Sequence, residues 1–141
     1  MQPLTSEATV TASVPSFPPL QAVLDHVLEG LDLSRPTDWS SSIPWQPFQP
    51  GVEIHRLYGD GITGPSAALL RFAPGGKIPL HFPTGYEHIV VLEGSQVDEH
   101  GELFAGGLRI HPPGSSHSVT SDSGCIVLAI YEKPVSFSQA D

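Results

Sequence analysis

An all-β barrel or sandwich, with one short helix and an extended arm ahead of it, is the fold class the sequence predicts. Three observations predict it. From Gly51 onward the apolar pattern takes the period of two, the period of a strand whose side chains point alternately to opposite faces. The runs are short and separated by turn chemistry at Gly59-Asp60-Gly61, Pro74-Gly75-Gly76, Glu99-His100-Gly101 and Pro112-Pro113-Gly114. No helical period intervenes between them, which excludes an alternating α/β plan.

In chain order, residues 1–17 are rich in Ser, Thr and Pro and are expected to form a flexible tail. Residues 18–50 hold a helix and an arm. Leu20, Val23, Leu24, Val27, Leu28 and Leu31 recur at three- and four-residue steps, which predicts an amphipathic helix from Pro19 to Leu31. The arm then carries Pro36, Pro44, Pro47 and Pro50 beside Trp39, Trp45 and Phe48. Proline is incompatible with a helix interior and a central strand, while the large aromatics favour burial. The arm should therefore lie across the outside of a sheet. The barrel follows over residues 51–135, with strands expected at Val52–Tyr58, Ser66–Phe72, Tyr86–Glu93, Gln96–Asp98, Glu102–Phe104, Leu108–Ile110, His117–Thr120 and Ile126–Glu132. Residues 136–141 are read as a C-terminal tail.

Composition narrows the function. The 141 residues fit one domain, and 39% hydrophobic with 15% charged residues suffices for a core. Six Lys and Arg against 15 Asp and Glu give a net charge of −9. Such a surface repels phosphate backbones and anionic lipids, so neither nucleic acid nor membrane is expected as a partner. Cys125 is the single cysteine, which excludes an internal disulfide and any CxxC motif. Apolar runs such as Ile89-Val90-Val91-Leu92 are too short to span a bilayer, and no basic residue precedes Arg35 to begin a signal peptide. A cytoplasmic protein is expected.

Histidine is over-represented, with seven residues. Alternation turns Glu87 inward beside Ile89 and Val91, with His88 and Val90 on the other face. A carboxylate among apolar neighbours requires a metal, a cation or a proton. His81 and His117 are the candidate partners, and two imidazoles with one carboxylate suit a first-row transition metal with open positions.

The stretch Gly75-x5-His81-x-Pro83-x3-Glu87-x6-Gly94 matches the first cupin motif, G-x5-H-x-H-x3,4-E-x6-G, at all marked positions but one. The stretch Gly106-x5-Pro112-x-Gly114-x2-His117-x3-Ser121 matches the second, G-x5-P-x-G-x2-H-x3-N, with Ser in place of the final Asn. Together with YEHIVVLEGSQVDEHGELFAGG and HPPGSSHS, the sequence resembles the ChrR-like cupins over roughly residues 45–135. That group includes the C-terminal domain of zinc-dependent anti-sigma factors.

The resemblance implies a cupin double-stranded β-helix, or jelly-roll, barrel with one divalent transition metal in its mouth: Fe, Zn, Mn or Ni. His81, Glu87 and His117 fall on three ligand positions, and Pro83, which has no donor atom, falls on the fourth. Three readings follow. The ion is kept on three protein ligands; His111 or His88 supplies the missing donor; or the pocket is metal-free and takes a small ligand.

Arg71 and Arg109 interrupt apolar strands and are candidates to hold an anionic group of a substrate; the alternative is pairing with an outer carboxylate. Tyr58, Tyr86 and Tyr131 read as ordinary strand aromatics, His100 as a solvated turn residue, His26 and His55 as surface or boundary residues, and Cys125 as a small buried hydrophobe. The function expected is a metal-dependent oxidoreductase of the dioxygenase type acting on a small organic substrate. The alternative is a non-enzymatic ligand sensor or regulatory cupin. A homodimer is expected. Sigma-factor binding is not, because the residues ahead of the barrel contain one histidine and no cysteine.

Overall fold

The structure, a computed structural model, describes residues 31–138. The helix expected over Pro19–Leu31 falls, apart from its last residue, outside the described residues, as do the 1–17 tail, His26 and the last three residues.

Among the described residues, ten strands form one curled antiparallel sheet: β1 (Gln46–Gln49), β2 (Val52–Tyr58), β3 (Ser66–Phe72), β4 (Gly76–Pro83), β5 (Glu87–Asp98), β6 (Gly101–Phe104), β7 (Leu108–His111), β8 (His117–Ser121), β9 (Cys125–Tyr131) and β10 (Val135–Ser136). Their order is β1-β2-β3-β9-β5-β8-β4-β10, with β6 and β7 also paired to β5. The sheet folds over on itself into two facing halves. β5 belongs to both: its first half pairs with β7 and β9, its second with β6 and β8. The corner is Gly94, at φ +75°, where a Cβ would collide with the Gly124 carbonyl. Only glycine meets both demands, so the closing glycine of the first motif is needed for the backbone to turn.

Ile54, Leu70, Phe72, Ile89, Val91 and Val127 fill the space between the halves. β3 is buried on both faces because the arm covers its outside. Trp39 and Trp45 pack there with Leu57, Leu69 and Ile126, and their indole N–H groups donate to the carbonyls of Asp32 (2.9 Å) and Ser40 (2.8 Å). Burial of the rings and satisfaction of both N–H groups together fix the arm. Two 3-10 turns, Pro36–Asp38 and Ser40–Ser42, shape it, and the arm is not extended throughout.

Besides β10, an unexpected strand that reaches Ser136 in the segment read as a tail, the strands depart from expectation at three places. Tyr86–Glu93 and Gln96–Asp98 are one continuous strand, Glu87–Asp98, and Tyr86 lies just outside it. The proline-bearing segment Gly76–Pro83 is a strand, so His81 sits within β4 and not ahead of a strand. β4 accommodates Pro79 through a register break between Ile78 and His81, where the missing N–H interrupts nothing, and Pro83 ends the strand. The third is β1, which carries Pro47 within the arm and pairs with β2 at the edge of the sheet. Ser121, in place of the motif's Asn, is fully buried and donates to the Ser95 carbonyl at 2.7 Å, tying β8 to β5.

Candidate metal centre

His81 and His117 are direct cross-strand partners on β4 and β8. Glu87 approaches them from the facing half of the barrel, at the start of β5. All three are buried, at 4%, 1% and 2% exposure, so none has bulk water to solvate it. Glu87 Oε1 lies 3.7 Å from His81 Nε2 and 3.6 Å from His117 Nε2. Among the described residues it has no hydrogen-bond partner. These separations exceed hydrogen-bond length. They approach the ~3.4 Å between ligand atoms that bonds of about 2.1 Å set at a tetrahedral ion.

Each imidazole suits ligation in its neutral form, the form a bound metal selects over the proton. The Nδ1 of His81 lies 3.0 Å from the Pro79 carbonyl and donates to it, which leaves its Nε2 lone pair facing Glu87. Burial disfavours the charged form of His81, but Glu87 and the Pro79 carbonyl outweigh it and raise its pKa above the ordinary value. His117 goes the other way. Burial first, then the charges of His81 and His111, push it down to about 3, so it is neutral at any physiological pH. An unpaired buried carboxylate oxygen costs several kcal/mol, and an ion between the three residues removes that cost. On this test the three residues fit a divalent metal.

The pocket above them is small, with a cavity volume of about 20 Å3. Its walls are mostly apolar, with Phe48, Leu70, Phe72, Ile78, Val119 and Phe137 among them. Phe137 stands at 5.6 Å from the His81 ring. The remaining polar residues of the lining are Gln96 and Tyr131. Tyr131 is a site residue that the sequence reading missed. It is the register partner of Glu87, and burial, then the Glu87 charge, raise its pKa well above the ordinary tyrosine value. The available signal was its strand parity relative to Ile89's partner, Ala129.

Other candidates lie elsewhere. Pro83 caps β4, its carbonyl accepting the Gly114 N–H at 3.2 Å. Neither His88 nor His111 lines the pocket. His88 sits beside Ile110 and Ile130 on the outer face, and His111 directs Nε2 at Asp98 Oδ2, 3.7 Å away. Arg71 donates to Glu53 at 2.6 and 2.9 Å and lies over the Trp45 ring at 4.6 Å. Arg109 donates to Asp98 at 3.0 Å. Both arginines are thus held by carboxylates outside the pocket.

Residues 38–135 match the ChrR cupin-like domain family. The chain belongs to that family. Solved structures agree on the fold of this cupin. A cupin-like protein of unknown function from Ralstonia eutropha is 26% identical, with a TM-score of 0.56 over 64% of this chain and 60% of that one. The chain therefore spans less than two thirds of that relative. The Rhodobacter sphaeroides anti-sigma protein ChrR, solved in complex with SigE, superposes with a TM-score of 0.60 at 23% identity, over 90% of this chain and 75% of that one. An acetylacetone dioxygenase from Acinetobacter johnsonii gives 0.59 at 14% identity, over 64% and 69%. No curated protein matches the chain. Among the described residues, no helix is long and apolar enough to cross a membrane.

Proposed function

We propose that this cupin holds one divalent transition metal on His81, Glu87 and His117 and uses it in an oxidative reaction on a small, largely apolar organic molecule. The observation that carries the reading is the partnerless Glu87 oxygen, buried and facing two imidazole nitrogens at 3.6 and 3.7 Å. Three protein ligands leave positions open, and a redox-active ion there would supply sites for a chelating substrate and dioxygen. Pro83 favours this reading, since it brings no fourth donor.

The chain's own residues have separate tasks. The Pro79 carbonyl fixes the His81 tautomer. Phe48, Phe72 and Phe137 exclude water from the pocket and receive the apolar body of the substrate. Tyr131 keeps its proton and can donate a hydrogen bond to a substrate oxygen, while Gln96 offers both a donor and an acceptor. An adjoining hollow, sharing Phe48, Tyr131, Val135 and Phe137, adds Arg56 as a cationic group. This gives a molecule with an anionic end a place to bind.

Oxygen consumption by the iron-reconstituted protein, with a panel of β-diketones and catechols, tests the reading. Uptake with at least one member, abolished by His117→Ala, is expected. A protein that binds iron but consumes no oxygen with any of them would contradict it and leave the regulatory reading, a small-ligand sensor, in its place.

A further inference from the structure

A second cluster of metal-ligating side chains lies outside the barrel mouth, at Asp98, His100 and His111. The topology brings them together. β5 begins beside His111, whose register partner is Glu87, turns at Gly94 and ends with Asp98 against the same histidine. The turn after Asp98 then presents His100, its backbone N–H bound to Asp98 Oδ1 at 2.7 Å.

The two oxygens of Asp98 have different surroundings. Oδ1 accepts from the His100 N–H and from Arg109 Nη1 at 3.0 Å. Oδ2 is buried and, among the described residues, accepts nothing, in a side chain only 1% exposed. Its neighbour, His111 Nε2, stands 3.7 Å away, too far for a hydrogen bond. His111 is itself 3% exposed. One ligand atom from each of the three residues lies within 4.8 Å of the others. A buried oxygen and a nitrogen of a buried histidine thus face one another at 3.7 Å. His100, 58% exposed, closes the cluster from the solvent side and leaves a route for entry.

We propose that Asp98, His100 and His111 form a second metal site, for a borderline divalent ion such as Zn2+ or Co2+. Two imidazoles and one carboxylate oxygen are the donor set such ions prefer. Arg109 holds Oδ1 and so aims Oδ2 at His111, while His100 Nδ1 stands 3.7 Å from Oδ1; the Arg109 charge also offsets that of the carboxylate. The barrel site has no cation against its carboxylate, so the second site is the weaker of the two and fills second. The histidines of the two sites are in contact, His111 stacking on His117 at 3.7 Å between ring centroids.

Equilibrium dialysis of the full chain against Co2+, with bound metal counted by plasma mass spectrometry and its visible d–d absorption, tests the site. Wild type is expected to take two equivalents in two steps. His100→Ala, at an exposed turn where folding is not at risk, loses the weaker step and keeps the stronger. The double variant His81→Ala, Glu87→Gln keeps the weaker step, and adding His100→Ala to it abolishes binding. Should the barrel prove unable to hold metal, a single equivalent removed by His100→Ala would still uphold the second site. A stoichiometry unchanged by His100→Ala would overturn it, as would a wild type saturating at one equivalent that His81→Ala, Glu87→Gln removes.

Discussion

The imidazole of His111 lies flat on that of His117, with ring centroids 3.7 Å apart and planes inclined by 16°. One ring turns Nε2 towards Glu87 in the barrel, the other towards Asp98 outside it. Two neutral rings can stack this closely in a buried setting; two imidazolium ions cannot.

The stack has a consequence for stability against pH. Burial first, and then the neighbouring histidine charges, hold His117 at about 3; burial likewise lowers His111. Both fall below the unfolded value of about 6.5, so the stability they contribute is present above it and is lost as pH falls. His81, raised, has the opposite sign: its contribution is full below the unfolded value and is lost as pH rises through the folded one. Below about pH 6.5 the His81 contribution is constant and the two lowered groups decide the slope, so the metal-free protein should lose stability between about pH 6.5 and pH 4.5, before carboxylates dominate. Thermal unfolding of the metal-free protein across that range should show a falling Tm, with a shallower fall in His117→Asn. A flat profile in wild type would count against neutral, buried rings.

Ser121→Ala removes the hydroxyl that binds the Ser95 carbonyl at 2.7 Å and leaves that acceptor without its partner between β8 and β5. The loss should be about 1–2 kcal/mol in denaturant unfolding. A change within error would show that the tie between the two strands carries no weight.

Trp39 is 8% exposed and donates its indole N–H to the Asp32 carbonyl. Replacing it with Ala should cost about 3 kcal/mol, the lower end for a large aromatic. Metal content should be unchanged, because Trp39 packs on the outer face of β3 and does not line the pocket. Lost metal with unchanged stability would reverse the role assigned to the arm.

Two residues after His81, Pro83 shares its strand face by parity. Pro83→His should place a fourth imidazole towards the ion and tighten binding about tenfold, as read by chelator competition. It should also close one open position and so lower any oxygen consumption. Unchanged affinity would mean that residue 83 does not face the centre.

Much of this was legible in the residues. Alternation in Glu87-His88-Ile89-Val90-Val91 placed Glu87 inward, and the two motif spacings brought His81 and His117 to it, as the cross-strand pairing confirms in geometry. β4 was not legible, because Pro79 and Pro83 read as breakers, and only the sheet shows that a register break absorbs the first while the second ends the strand. Tyr131 was missed because its role depends on which strand pairs with β5, a long-range fact. Asp98, His100 and His111 were missed as a group for the same reason. In sequence Asp98 and His100 form a solvated turn, and only the corner at Gly94 carries that turn back to His111.

The central claim is that His81, Glu87 and His117 hold an ion without a fourth protein ligand. Metal content by plasma mass spectrometry, on untagged protein passed over a weak chelating resin, tests it most directly. Close to one equivalent of a transition metal per chain is expected, retained in His100→Ala and lost in His117→Ala. Far less than one equivalent in wild type, even after reconstitution, would contradict it and mark Pro83 as the sign of an abandoned site.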